Sequence, residues 1–350
     1  MKSKSLNRIA WQKFKKNKFS YFALYYIILV LFIGVFAVVI SPDNSPNANQ
    51  MHIELSVQKP FTKVLFLEIP KKGNIKTSFF QAFFIGVPSK VKRVPIDSFK
   101  DLNNGVSYFP YKSDSENTYI GTYKICEHIF WLGTDKYGRD LLSRIFYGTR
   151  ISLSVGLIAV FLSLIIGITC GLFAGYFRGR VDDFIMWLVN VIWSIPTLLM
   201  VIAITLALGK GFWQVFVAIG LTMWVEVARI VRGQVLVIRE LEFIDAGKAL
   251  AYKPYRIIFK HILPNVIGPL IVISAANFAA AILIEAGLSF LGIGAQPPMP
   301  SWGGMIKDHY NYIIMNKAYL AIIPGVAIMS LVLSFMILGN GLRDAFDVKD

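Results

Sequence analysis

A single carboxylate, Glu285, stands inside an apolar stretch that runs from about residue 265 to 291. An ionisable group in such surroundings either pairs with another helix or lines an aqueous path. Helix pairing is the first reading of Glu285 and path lining the second. A further candidate is the string Gly133-Thr134-Asp135-Lys136-Tyr137-Gly138-Arg139-Asp140. Thr134 or Asp135 can cap a helix start, and Asp135 with Arg139 makes an i, i+4 ion pair. A third is the stretch from Glu240 to Pro264, where Phe243, Ala246, Gly247 and Leu250 recur at i, i+3, i+4 and i+7 and so share one helical face. Glu242, Asp245 and Lys248 fall on other faces. Tyr252-Lys253-Pro254 breaks the helix, because a residue before proline is pushed out of the helical region. A second short helix should then end near Pro264. An apolar face of small residues suits a groove on another protein or the surface of a bilayer, and periodicity leaves both open.

Chemistry of other kinds is missing. No GxxxxGK[ST] phosphate loop occurs, since Ile204 stands where the first glycine before Gly209-Lys210 should be. No Ser-His-Asp, HExxH or paired-cysteine arrangement occurs, and the 4 histidines form no metal-ligand cluster. Cys126 lies outside the apolar blocks and Cys170 inside one, so no disulfide is expected. These residues point to no catalytic group, no metal and no cofactor in this chain.

The elements that must position the candidates are set by hydropathy. Apolar residues make up 55% of the 350 and charged residues only 16%, against about 25% in soluble domains. The apolar residues arrive in blocks, and a helix needs about 20 of them to cross the hydrocarbon layer. Six spans are expected, at 20–40, 151–176, 184–208, 212–228, 265–291 and 319–340. Pro196 interrupts the third, and only Gly209-Lys210-Gly211 separates it from the fourth, which leaves one long re-entrant hairpin as the alternative for the pair. The first block is longer than a signal-peptide core and no small-x-small cleavage site follows, so it reads as a retained span.

The net charge of +15 does not indicate nucleic acid. Seven basic residues precede the first block (Lys2, Lys4, Arg8, Lys13, Lys15, Lys16 and Lys18), and seven more lie in the segment 229–264. That pattern marks the cytoplasmic flanks of spans, and it puts both termini in the cytoplasm. Residues 41–150 then lie outside. Runs rich in β-branched and aromatic residues at Ile53–Val57, Lys63–Ile69, Val106–Tyr111 and Thr118–Ile125 predict a small β-rich insert. Within the second span Ser163, Gly167, Gly171 and Gly175 recur every four residues, the mark of a close helix seam.

The segment 240–264 resembles the EAA loop of ABC-importer permeases. Asp245, Ala246 and Gly247 stand at its Glu-Ala-Ala positions, Ala251 at its glycine, and Leu263-Pro264 at its close. Residues 132–144 resemble the GTDxxGRDxxSR signature of dipeptide and oligopeptide permeases of the C type, through Gly133, Thr134, Asp135, Gly138, Arg139 and Asp140. Residues 285–305 resemble the same permeases' ExxLSFLGLGxxPPxPxWGxM segment, where Trp302 could anchor at the membrane interface. The tail from Gly341 also resembles the family's ending.

The resemblance implies an all-α membrane protein with the six-helix type I importer permease fold, carrying the β-leaning insert between helices 1 and 2. The parts would be a basic N-terminus and first helix (1–42), a periplasmic insert (43–130), a surface helix (131–150), the transmembrane domain (151–342) with its coupling loop at 229–264, and a cytoplasmic tail (343–350). It further implies a bacterial inner-membrane permease for short peptides, with no enzymatic activity of its own. Its partners would be a homologous permease in a heterodimer, two cytoplasmic ABC ATPases that bind the ATP, a periplasmic or lipoprotein solute-binding protein, and membrane lipid. Glu242, Phe243, Asp245, Ala246, Gly247, Leu250 and Ala251 would dock the ATPase. A permease for nickel or another small solute is the alternative within the class. A membrane-embedded secretion or assembly factor is the alternative outside it.

Overall fold

The computed structural model describes residues 6–71, 78–209 and 211–346. Lys2, Lys4, Lys210 and the last four residues of the tail lie outside the described residues. The basic start forms α1 (Leu6–Lys16), and the first apolar block forms α2 (Lys18–Val35) with a short continuation, α3 (Ala37–Ile40). Asn17 separates α1 from α2, and its Oδ1 accepts from the Ser20 N–H at 3.3 Å, capping the new helix.

The insert is an antiparallel sheet of five strands: β1 (Thr62–Pro70), β2 (Val91–Leu102), β3 (Gly105–Pro110), β4 (Asn117–Ile120) and β5 (Lys124–Phe130), in the order β4-β3-β2-β1-β5. A helix, α4 (Phe79–Phe84), lies between β1 and β2. Alternation along the strands gives each face its own core. Val64, Phe66 and Phe130 close over Leu55 on one side, and Leu67, Ile96 and Val106 pack together on the other. Two expectations change, and one strand lies outside the expected runs. Ile53–Val57 is a 3₁₀ turn over Ile53–Leu55 rather than a strand, with Leu55 serving as a plug under the sheet. The run Thr118–Ile125 is two strands, because Gly121 at φ 137° turns the chain between β4 and β5 at opposite edges. The longest strand, β2, carries Pro95 and a charged, exposed second half, and neither feature reads as a strand.

After the insert come α5 (Leu141–Phe177), α6 (Gly179–Trp193), α7 (Thr197–Leu208), α8 (Phe212–Ile238), α9 (Glu242–Ala249), α10 (Pro254–Ile257), α11 (Leu263–Leu291), α12 (Trp302–His309) and α13 (Tyr319–Phe346). Among the described residues, five stretches are long and apolar enough to cross a membrane: α2, α5, α8, residues 254–291 and α13. The third expected span is the pair α6 and α7, bent by 91° where Pro196 interrupts it. The expected surface helix at 131–150 is not separate. Residues 131–140 form turns, and residues 141–150 are the first part of α5. The short helix before Pro264 is not separate either, since α10 passes through a π-turn at Ile258–Ile262 directly into α11. Pro264 has no N–H to give to the preceding turn, and the π-turn just before it takes up the irregularity without ending the helix.

By internal packing the chain divides into two compact units. One comprises residues up to Val30, Ser152–Gln296 and from Ile328 onward, and the other Leu31–Ile151 with Pro297–Ala327. In the first unit the small-residue row of α5 meets α8 as expected. Cβ atoms added at Gly167, Gly171 and Gly175 would lie 2.5, 2.6 and 2.7 Å from the Cβ atoms of Val227, Val231 and Val235. Only glycine lets the two backbones come this close.

Candidate functional site

The residues singled out in the sequence fall into three places. The string 133–140 is a loop lock in the second unit. Asp135 is fully buried, and its Oδ1 accepts from the N–H groups of Tyr137 (2.8 Å) and Arg139 (3.0 Å). Its Oδ2 meets Arg139 Nε at 2.6 Å and Arg144 Nε at 3.6 Å. Arg139 also donates from Nη1 to Asn49 Oδ1 at 2.9 Å. Thr134 Oγ1 donates to Leu55 O and accepts from Gln58 N at 2.8 Å, so it caps no helix. The cap of α5 is Asp140, whose Oδ2 accepts from the N–H and the hydroxyl of Ser143. Gly133 and Gly138 have φ of 78° and 71°, and a side chain at Gly138 would overlap the carbonyl of His52. The expected Asp135–Arg139 pair therefore forms in a turn instead of along a helix.

Burial shapes the charges around this lock. Asp140 is pushed up to about 6, first by burial, against the lowering effect of its Ser143 hydrogen bonds. His52 and His128 are held below the usual imidazole range, chiefly by burial. Both line a small cavity of about 20 Å³ with Asp43, Arg93 and Asp140, room for about one water. His309 on α12 is lowered by burial as well, and Lys136 pairs with Asp308 at 3.0 Å. Trp302 does not sit at an interface. It is buried, donates from Nε1 to Ile145 O at 3.0 Å, and fills the space over Gly148, whose lack of a side chain admits the indole.

Glu285 is buried in α11 and accepts from Ser289 Oγ at 2.6 Å on Oε1. The same hydroxyl accepts from Ala295 N at 3.2 Å, three residues after the chain turns at Gly292 with φ 80°. The carboxylate thus bonds to a residue of its own helix and helps close the end of α11.

The third place is α9 and its flanks in the first unit. Ile244 and Gly247 turn inward, Ile244 onto Ile257, Ile258 and Ile262, while Gly247 lets the Tyr252 ring approach to 3.4 Å of a Cβ position. Gly247 therefore leaves the face it was expected to share. Phe243, Ala246 and Leu250 remain exposed, with 44% of Phe243 and 66% of Leu250 open. Glu242 and Asp245 are exposed in the first turn, where they complement the helix dipole, and Asp245 pairs with Lys248 at 2.8 Å. Ala251 has φ 55°, a left-handed conformation that favours glycine. Arg229 and Arg232 lie within α8 rather than in a loop. Arg232 grips both Asp182 oxygens at 2.6 Å, a pair the sequence analysis missed. The apolar run Ile230, Val231, Val235 to Ile238 is the signal that the helix continues.

The family described as binding-protein-dependent transport system inner membrane component matches residues 167–348. The chain belongs to this family. Residues 5–56 match a second family, the N-terminal TM domain of oligopeptide transport permease C. The chain is a multi-pass inner-membrane permease subunit, not itself catalytic, of an ABC transporter that works with ATPases and a binding protein. The alternative of a secretion or assembly factor gives way to that membership. The chain is 33% identical to the dipeptide transport system permease protein DppC of Lactococcus lactis over 97% of its own length and 90% of that protein's, a span that includes the insert. It is 45% identical to DppC of Alkalihalophilus pseudofirmus and 41% to the glutathione transport system permease protein GsiD of Pectobacterium atrosepticum, each over 63% of this chain and 72% of the relative. A chain of the inward-facing MetNI methionine ABC transporter is similar at 18% identity and a TM-score of 0.49, covering 60% of this chain and 98% of that one, a likeness too loose to carry detail.

Proposed function

We propose that this permease subunit moves short peptides inward across the inner membrane, beside a homologous permease and above two cytoplasmic ATPases, with peptide delivered by a periplasmic or lipoprotein binding protein. The observation that carries the cargo is similarity along nearly the whole chain to a protein named as a dipeptide permease. Both termini lie in the cytoplasm on this reading, which agrees with the basic residues around α1 and α9. The insert then faces the periplasm with Gly133–Asp140 locking its base.

The ATPase contact is α9 with Ala251. An ordered helix that keeps Phe243 and Leu250 exposed while Ile244 is buried has an inner face for its own chain and an outer one for a partner. ATPase closure would push this helix, and differential contacts in the two states would shift the spans between inward and outward access. Glu285 acts in this scheme by holding α11 together at its end. The test is uptake by the reconstituted complex of both permeases, ATPases and binding protein. ATP-dependent import of dialanine, trialanine or glutathione is expected, and import of Ni²⁺ with none of the peptides would overturn the peptide reading.

A further inference from the structure

The second half of α8 turns one face to open space. Glu226, Arg229, Gly233 and Val237 follow one another at three- and four-residue spacings and so share a side of the helix. Glu226, Gly233 and Val237 are exposed and Arg229 is partly so. A Cβ built on Gly233 meets nothing within 4 Å. Glu226 has no hydrogen bond or ion pair among the described residues. Arg229 is held from the side by α6: its guanidinium carbon lies 3.2 Å from the Trp193 ring centre, and Nη2 donates to Asn190 Oδ1 at 3.2 Å. Its Nε is shut off from solvent without a partner. Trp193 is the last residue of α6 before the 91° bend and is 56% exposed.

Depth decides what this face meets. At about 1.5 Å per residue, Glu226 lies roughly 21 Å and Arg229 roughly 26 Å along α8 from Phe212, inside a hydrocarbon layer of about 30 Å. An unpaired carboxylate turned toward lipid there is strongly disfavoured, so the face borders either a water-filled path or a partner chain, and the bonding capacity left free at both charges favours the path. A carboxylate and a guanidinium one helical turn apart, each with free bonding capacity and backed by an amide and an indole, are the complement of a small zwitterion with apolar side chains. Their Cβ atoms are about 5–6 Å apart, and an extended dipeptide spans at most about 7 Å.

We propose that Glu226, Arg229, Asn190 and Trp193 form a station in the translocation path that takes the two charged ends of a dipeptide, the ammonium at Glu226 and the carboxylate at Arg229 and Asn190, with a side chain against Trp193. This rests on the peptide-import reading. Longer peptides engage only one end at a time.

The test uses the complete complex in proteoliposomes, with dialanine and its C-terminal amide as probes. Losing a charge-assisted hydrogen bond in Arg229→Gln should cut dialanine uptake about tenfold and lower the ratio of dialanine to amide uptake. Because the same binding protein delivers both probes, a change in that ratio belongs to the permease. Arg229→Lys should recover part of both. Glu226→Cys, on a Cys126→Ser, Cys170→Ser background, should react with a charged, membrane-impermeant thiol reagent applied from the ATPase side. Wild-type uptake by both Arg229→Gln and Glu226→Gln would overturn the station. So would failure of Glu226→Cys to react when a lipid-soluble maleimide does, or loss of the second permease from the Glu226→Gln complex, which would make Glu226 a subunit contact. A wild-type complex that imports neither probe strikes the transport reading instead, and the thiol result still stands alone.

Discussion

The loop at 133–140 and the helix at 242–251 both carry sequence signatures, yet they use their residues in opposite directions. In the loop, Thr134 and Asp135 are fully buried, and Arg139 and Asp140 are only 4% and 3% exposed. Every one of them bonds to its own chain. On the helix, Phe243 and Leu250 are 44% and 66% exposed. A signature built from charged and polar residues thus turned out to be internal scaffolding, and one built from small and apolar residues is the open surface. Polar residues buried together must satisfy one another, so their spacing is constrained by the fold itself. An exposed apolar face carries no such internal demand, and the ATPase docking proposed above would account for it.

The contrast can be broken most directly at Asp135. Asp135→Ala leaves Arg139 and Arg144 buried without their carboxylate, which should cost about 3–5 kcal/mol. Thermal unfolding of the purified protein should shift down sharply, with earlier proteolysis of the insert. An unchanged transition would mean the lock is ornamental. Leu250→Arg should do the reverse. It sits on the open face, so stability should hold, while desolvating a guanidinium against an apolar groove costs several kcal/mol. ATPase co-purification and transport should be lost while the two permeases stay associated; wild-type uptake would sink the docking assignment.

Titration sharpens the same comparison. Asp140 has its pKa raised to about 6 by burial, so the fold favours its protonated form. Its stabilising contribution is complete below about pH 4 and is lost as the pH rises through about 6. Across that shift the difference is at most about 3 kcal/mol. Asp140→Asn stays neutral, so its stability relative to wild type should improve from pH 4 to pH 7; a constant difference would show that Asp140 ionises freely. The neighbouring His52 and His128, lowered by burial, contribute stability above the normal imidazole pKa and lose it as pH falls. Their effect has the opposite slope and is common to both proteins. The smallest effect is at Ala251, whose φ of 55° strains an L-residue by about 1 kcal/mol. Ala251→Gly should slow hydrogen exchange in α9 slightly, and faster exchange would mean that the left-handed turn is unstrained.

Much of the helical part was legible because long apolar runs leave a helix no alternative in lipid. The glycine row of α5 was legible for a similar reason, since its four-residue spacing has one geometric meaning. Boundaries were harder. Arg229 and Arg232 read as loop because charge suggested an interface, but Asp182 and Trp193 on α6 take up that charge within the helix. Pro264 read as a stop, yet a proline early in α11 is tolerated there. Gly247 was assigned to the outer face by period alone, and only the Tyr252 ring explains its inward position. In the insert, β2 was hidden by Pro95 and by Asp97, Lys100 and Asp101, which face solvent along its second half. Trp302 was placed at the interface by residue type. Its slot over Gly148 is made by a contact 154 positions away in sequence, which no local pattern announces.

The row of glycines on α5 behaves like the gap side of a toothed rack. Val227, Val231 and Val235 of α8 sit in its notches at Gly167, Gly171 and Gly175, and the notches recur only every four residues. Re-engaging them after a slide takes a jump of about 6 Å, four residues of helix rise. Any smaller slip drives a valine into a side chain such as Ile168 or Leu172. The two helices therefore cannot creep past one another by small increments. Whatever motion this permease makes, α5 and α8 travel as one plank, and the sliding must happen along some other seam.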